Sequence, residues 1–374
     1  MGYIKNINKR NLQIARENIG LDTVSVSSRI TSTNEDIVLS WEKGESLPTW
    51  SQVKKLAKLY CISELLFFSN DTLPKNKVVP DYRVGQDSES NFKISKLVNI
   101  VESRQQWLRG KLIESGFEKN NLVGSGKHID NPVKLASFIA TKLDIKLQDI
   151  KNISGTDGRK ATLDYLIRKA EGHGVFVGKT LSFIPIEVKD LRGLFISDEY
   201  CPFIILNRRD ATSAQIFSLV HELAHLFRQT DAISNSLDFR QVTGINAEET
   251  FCNKVAAELL LPTSEFTKNF YEGSDLDQLS YTYKVSKLFI FYRLKELKKI
   301  PKEIEESLER EIQRETLQNL QKKESTKAKG GNYTTNMKDS NGKLFNKLVS
   351  SFYFENKINY VEASNALAFS AENV

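Results

Sequence analysis

Two of the four histidines in this 374-residue chain stand at positions 221 and 225, in the run His221-Glu222-Leu223-Ala224-His225. On an α-helix, residues four apart share a face, so both imidazoles can point at one metal ion while Glu222 lies beside them as a carboxylate able to take a proton. The chemistry such a triplet offers is metal-assisted hydrolysis. Two histidines do not complete a catalytic zinc site, which takes three protein ligands and leaves the fourth position to water. His128 and His173 lie in glycine-flanked loops with no helix to aim them, and they read as surface residues. The third ligand is therefore sought among downstream carboxylates. Glu248 and Glu249 open a helical run whose apolar stripe takes in Phe251, Val255 and Leu259, with Cys252, Ala256 and Leu260 on the adjoining row. Glu249 falls one turn before Cys252 and Asn253 and so borders the buried face. It is preferred to Glu248, a residue nearer the start, and to Glu258, which lies deep in the helix near its other end.

The elements that must hold these residues can be read from periodicity. A helix opened by Thr212, with Gln215 three residues on, carries the two histidines within the apolar flanks Ile216–Val220 and Leu226–Phe227, which predicts an amphipathic, semi-buried helix. A following helix spans about 247–261 and stops at Pro262, and another covers about 283–298. Ahead of them, short β-rich runs at 174–177, 193–196 and 203–207 suggest a small sheet. Residues 131–180 are otherwise helical, as are 11–68 and about 94–115. In the stretch 11–68, Thr49 and Gln52 form a capping-box signature. Charge dominates 298–329, as expected of a solvated helix or arm, and 343–368 returns to helical periodicity. The fold class expected is mainly α with a small β-sheet, α+β.

Composition narrows the class further. The chain is 40% hydrophobic and 27% charged, an ordinary globular balance that excludes collagen-like, disordered and disulfide-framework proteins. No apolar run approaches the length of a membrane span, and Cys61, Cys201 and Cys252 form neither an even set nor a metal knuckle. A soluble protein of the cytoplasm, with no membrane partner, is the expectation. The net charge of +6 is compatible with nucleic acid without indicating it.

The HELAH run, followed after 23 residues by Glu249-x-x-Cys252-Asn253-x-x-Ala256-Ala257-Glu258-Leu259-Leu260-Leu261-Pro262, resembles the ImmA/IrrE family of zinc metallopeptidases, whose second motif usually reads E-x-x-A-N-x-F-A-x-E-L-L-x-P. Cys252 stands where that motif has Ala, and Val255 where it has Phe. The resemblance implies a gluzincin-like metalloendopeptidase with one zinc ion per chain on His221, His225 and Glu249, and with Glu222 as general base. It also implies the zincin arrangement in which an edge strand before the motif helix holds an extended substrate; Phe203, Ile204, Ile205, Leu206 and Asn207 would form that strand. A second resemblance, over about 11–68, is to XRE-type helix-turn-helix domains, on Trp41, Glu42, Gly44, Pro48 and Thr49. The segments at 80–83 and 104–108 resemble the linker of long proteins that fuse the two. The domain organisation expected is 1–70 helix-turn-helix, 71–125 helical connector, 126–300 zincin-like peptidase, 301–332 charged linker and 333–374 C-terminal helical module.

Residues 1–70 hold nine Lys/Arg against seven Asp/Glu, a net of +2, and the expected recognition helix, about 34–42, offers Glu35, Asp36 and Glu42 with no Lys or Arg. Guanine readout needs Arg or Lys, so any DNA contact rests on phosphate binding by Lys5, Lys9, Arg10 and Arg29. The resemblance implies a protein substrate or partner, a repressor or a toxin. The rival expectation is a non-proteolytic, antitoxin-like regulator that binds DNA or a toxin and keeps the peptidase fold as a scaffold.

Overall fold

The computed structural model describes residues 3–31, 37–73, 88–229, 232–234, 247–265, 275–325 and 332–370. The chain divides into two compact units, Met1–Ser115 with Phe183–Asp190, and Gly116–Ser182 with Leu191–Val374.

The first unit is built from helices α1 (Lys9–Asn18), α2 (Thr23–Ile30), α3 (Ile37–Lys43), α4 (Trp50–Tyr60) and the long α5 (Ser88–Glu114). Their starts are dictated locally. Asn8 caps α1, Asp22 caps α2, and the expected capping box closes on α4, with Thr49 and Gln52 satisfying each other's backbone N–H groups. Leu12, Ile19, Val26, Trp41, Val53, Leu56 and Phe67 meet in one buried apolar cluster. Arg16 makes a two-pronged ion pair with Glu42, Nε to Oε1 at 2.7 Å and Nη2 to Oε2 at 2.8 Å. Glu42 thus bonds inward. Glu35, Asp36 and the segment 80–83 lie outside the described residues.

The second unit opens with α6 (Pro132–Lys142), α7 (Leu147–Asn152) and α8 (Gly158–Glu171), then β1 (Phe176–Lys179), β2 (Gly193–Ile196) and β3 (Phe203–Leu206). Helix α9 (Thr212–Arg228), strand β4 (Ala232–Ser234) and α10 (Ala247–Leu260) follow. The chain continues through α11 (Leu276–Tyr283), α12 (Lys287–Glu296), α13 (Lys302–Ser325), α14 (Tyr333–Asn341), α15 (Lys343–Phe354) and α16 (Tyr360–Leu367). The fold is mainly helical with one small mixed sheet, an α+β architecture. Strand order is β1-β3-β2-β4, with β1 parallel to β3 and β2 antiparallel to both β3 and β4. The outer side of β1 is closed by the C-terminal helices: Gly342, at φ +83°, lies so near Val177 that a Cβ there would fall 2.0 Å from its carbonyl oxygen. Glycine is therefore required at that crossing.

Three expectations change. Phe203–Leu206 is interior, bonded to β1 on one side and β2 on the other, so it offers no free edge for a substrate. Helix α9 begins at Thr212, one residue earlier than a Thr212 cap would place it; Ala211 is the cap residue, without a side-chain cap. The helix expected over 283–298 begins only at Lys287, because Lys284 ends the preceding α11 in the left-handed region at φ +61° and Ser286 caps α12 afresh. Among the described residues, no helix is long and apolar enough to cross a membrane.

Candidate metal centre

Helix α9 is buried on all sides rather than amphipathic. Every residue from Gln215 to Phe227 is buried, because the helix runs between β2 and β3 of the sheet and the helices α6, α8 and α10. The helical pitch aims His221 and His225 to one side, where their Nε2 atoms approach to 3.0 Å. Helix α10 packs against that side and delivers Glu249, whose Oε2 lies 3.2 Å from His221 Nε2 and whose Oε1 lies 3.3 Å from His225 Nε2. The two histidines are sealed from solvent, whereas the Glu249 side chain is 21% exposed, so the cluster is reached from the α10 side.

The other two candidate carboxylates are occupied elsewhere. Glu248, one residue and about 100° round the helix from Glu249, grips Arg228 with both oxygens, at 2.9 and 3.1 Å. Glu258 is bound by Arg293 and Thr263 at the far end of α10. Among the described residues, His221, His225 and Glu249 are the group of histidines, cysteines and carboxylates whose ligand atoms converge closely enough for a metal ion.

Two observations test whether a metal fits. Three ligand atoms at about 2.05 Å from a tetrahedral zinc ion are about 3.3 Å apart, and the separations here are 3.0, 3.2 and 3.3 Å. Two imidazole nitrogens and a carboxylate also bring lone pairs to one point inside protein, an arrangement that a cation relieves. The residues fit the group. The charges agree: burial alone would raise the Glu249 carboxyl, but hydrogen bonds from His221 and His225 outweigh it and hold Glu249 below the usual carboxylate range. Burial lowers His221, favouring the neutral imidazole that a metal needs.

Glu222 stands apart from this triangle. Its carboxylate is fully buried, and neither oxygen has a hydrogen-bond partner among the described residues. Burial, reinforced by the charge of Glu249, pushes its carboxyl well above the usual range. An acid so placed takes a proton readily, which is the property asked of a general base.

Residues 177–295 match a family model, Peptidase M78, described as an IrrE N-terminal-like domain. No curated protein and no solved structure matches the chain. The Peptidase M78 match begins in β1 and ends in α12, so it contains the sheet from Val177 onward and both helices of the cluster. It leaves the first unit unmatched apart from 183–190, and it leaves out α13 to α16.

The structure brings His221, His225, Glu249 and Glu222 together and leaves Phe203, Ile204, Ile205, Leu206 and Asn207 buried in the sheet core. Of the residues expected at phosphates, Lys5, Lys9 and Arg10 are exposed, while Arg29 pairs with Glu89 at 2.8 Å and lies over the Phe92 ring. A reading of the sequence misses Gly193, at the start of β2, which faces Glu222. A glycine inside a strand signals close approach of another group, but the signal does not name the partner.

Proposed function

We propose that the chain is a zinc-dependent endopeptidase that acts in regulation, cleaving a protein partner of the repressor or toxin type. The observation that supports this reading is the convergence of His221, His225 and Glu249 beside a buried, unpartnered Glu222 carboxylate. Zinc would be held by His221, His225 and Glu249, and when bound it would supply a water acidified toward neutrality and a Lewis acid for the scissile carbonyl. Glu222 accepts one proton of that water at a carboxylate oxygen as the water oxygen bonds to the carbonyl carbon. It then delivers the proton to the amide nitrogen as the C–N bond breaks, leaving a free carboxyl and a free amine. Burial raises its basicity for the first transfer, and with no competing hydrogen bond among the described residues both oxygens are available.

In this reading the helical first unit serves recognition. DNA contact is a weak, phosphate-directed contribution from Lys5, Lys9 and Arg10, since Arg29 is engaged by Glu89 and Glu42 by Arg16. The test incubates the zinc-loaded full chain, and its Glu222→Gln variant, with candidate repressor- and toxin-type proteins, and identifies new termini by mass spectrometry. Cleavage by the wild type alone supports the reading. Equal biological action of the two, with no cleavage by either, establishes a scaffold instead.

A further inference from the structure

Glu249, Cys252 and Asn253 occupy positions i, i+3 and i+4 of α10, so one face of that helix presents all three to α9. Glu249 addresses the Nε2 atoms of both histidines. Cys252 addresses the opposite edge of one ring: its Sγ lies 3.6 Å from His225 Nδ1, within the reach of a sulfur hydrogen bond. Cys252 is wholly buried and His225 is 1% exposed, so water does not compete for this contact. Asn253 lies beside His221, yet neither its Oδ1 nor His221 Nδ1 has a partner of good geometry among the described residues. The sulfur contact is therefore the better formed of the two that this face makes behind the rings.

A histidine that gives Nε2 to a metal carries its proton on Nδ1, and whatever accepts that proton fixes the tautomer and the ring orientation. A thiol sulfur is a weak but polarisable acceptor. We propose that Cys252 is a positioning residue of the metal centre, its sulfur accepting the Nδ1–H of His225 so that Nε2 is left unprotonated and aimed at the metal. This rests on reading the His-His-Glu triangle as a zinc site. It assigns the sulfur a role behind the ligands and not among them, since Sγ meets the ring edge that faces away from Glu249.

The experiment measures zinc affinity of the full-length protein by competition with a chromophoric chelator, for wild type and for Cys252→Ala, Cys252→Val and Cys252→Ser. Valine keeps the packing volume without an acceptor, and serine keeps an acceptor. The expected result is a loss of about tenfold in affinity for both Ala and Val, the lower end for groups that orient a metal-bound histidine, with Ser recovering most of it. In protein labelled with 15N-histidine and loaded with zinc, the Nδ1–H resonance of His225 should shift in Ala and Val. Affinity restored by Val, or all variants binding like wild type with that resonance unmoved, overturns the proposal. Failure of the wild type itself to bind zinc overturns the metal-site reading, a result distinct from tight wild-type binding that no Cys252 variant alters.

Discussion

Gly193 lies directly against the Glu222 side chain: a Cβ built on Gly193 would fall 2.6 Å from Oε1 and 3.1 to 3.2 Å from the adjoining carbons. The strand that carries Gly193 is held between β3 and β4, so its backbone has little room to retreat. Gly193→Ala should therefore displace the Glu222 carboxylate while leaving the three ligands in place. The expected outcome is normal zinc content with a fall in proteolysis, bounded by the roughly hundredfold to ten-thousandfold that a positioned base supplies. Full turnover in this variant would show that Glu222 is not held where the mechanism needs it.

Glu222→Gln removes the base and keeps the size. Zinc content should be unchanged and cleavage should drop by about two to four orders of magnitude. The metal-free variant should also be at least as stable as metal-free wild type, because a buried carboxylate with no partner among the described residues is a cost to the fold that an uncharged amide reduces. Calorimetry of both apo proteins checks this. A clear fall in the apo melting temperature would mean that the carboxylate has a stabilising partner, contrary to the arrangement described.

The two neighbouring glutamates separate function from stability. Glu249→Ala should abolish stoichiometric zinc binding, and with it the melting-temperature rise expected when zinc is added to wild type; a ligand at a hundred times its Kd contributes about 2.7 kcal/mol. Glu248→Ala should keep zinc and lose its bond to Arg228, at a cost of about 1 to 3 kcal/mol for a charged hydrogen-bonded pair. Retained zinc in Glu249→Ala together with loss in Glu248→Ala would reverse the assignment of the third residue of the cluster.

How much of this was readable in advance depends on whether the information is local. His221 and His225 were legible because i and i+4 on a helix must share a face whatever the rest of the chain does. Glu249 followed from its place beside the apolar stripe of α10. The Gly193–Glu222 and Cys252–His225 contacts were not legible, because each depends on how separate elements pack and leaves no periodic trace. Strand β4, at three residues, is too short for alternation to show. The break between α11 and α12 leaves no signal in the sequence because a lysine, not a glycine, adopts the left-handed turn. The placement of 203–207 failed for a related reason. A continuous apolar run marks a strand buried on both faces, and such a strand tends to lie inside a sheet.

That interior placement predicts what substitution in β3 will do. The Phe203 ring stacks on Phe176 at a centroid distance of 5.0 Å and meets Phe345 of α15 edge-on at 6.0 Å. Phe203→Ala should cost about 3 to 5 kcal/mol in stability, and the protein that remains folded should keep its KM. Thermal unfolding and initial-rate measurements on the same preparation decide it. A raised KM with an unchanged melting temperature would return Phe203 to the substrate.

The Arg16–Glu42 pair sets the corresponding expectation for the first unit. Glu42 was expected on a recognition surface, but the structure engages both its oxygens with one guanidinium, and the two side chains are only 13% and 7% exposed. Glu42 is the first cause holding the Arg16 guanidinium above its ordinary pKa. Removing either partner leaves the other half-buried and uncompensated, which should destabilise the unit by about 2 to 4 kcal/mol. Arg16→Ala and Glu42→Ala should therefore lower the melting temperature alike, and the double variant should cost less than the sum of the two. Zinc binding should not change, since the ligands belong to the second unit. The measurement is a double-mutant cycle read by thermal unfolding with zinc content in parallel. Strictly additive losses would show that the pair is not coupled, and a gain in DNA affinity on neutralising Glu42, with stability unaltered, would place it back on the recognition surface.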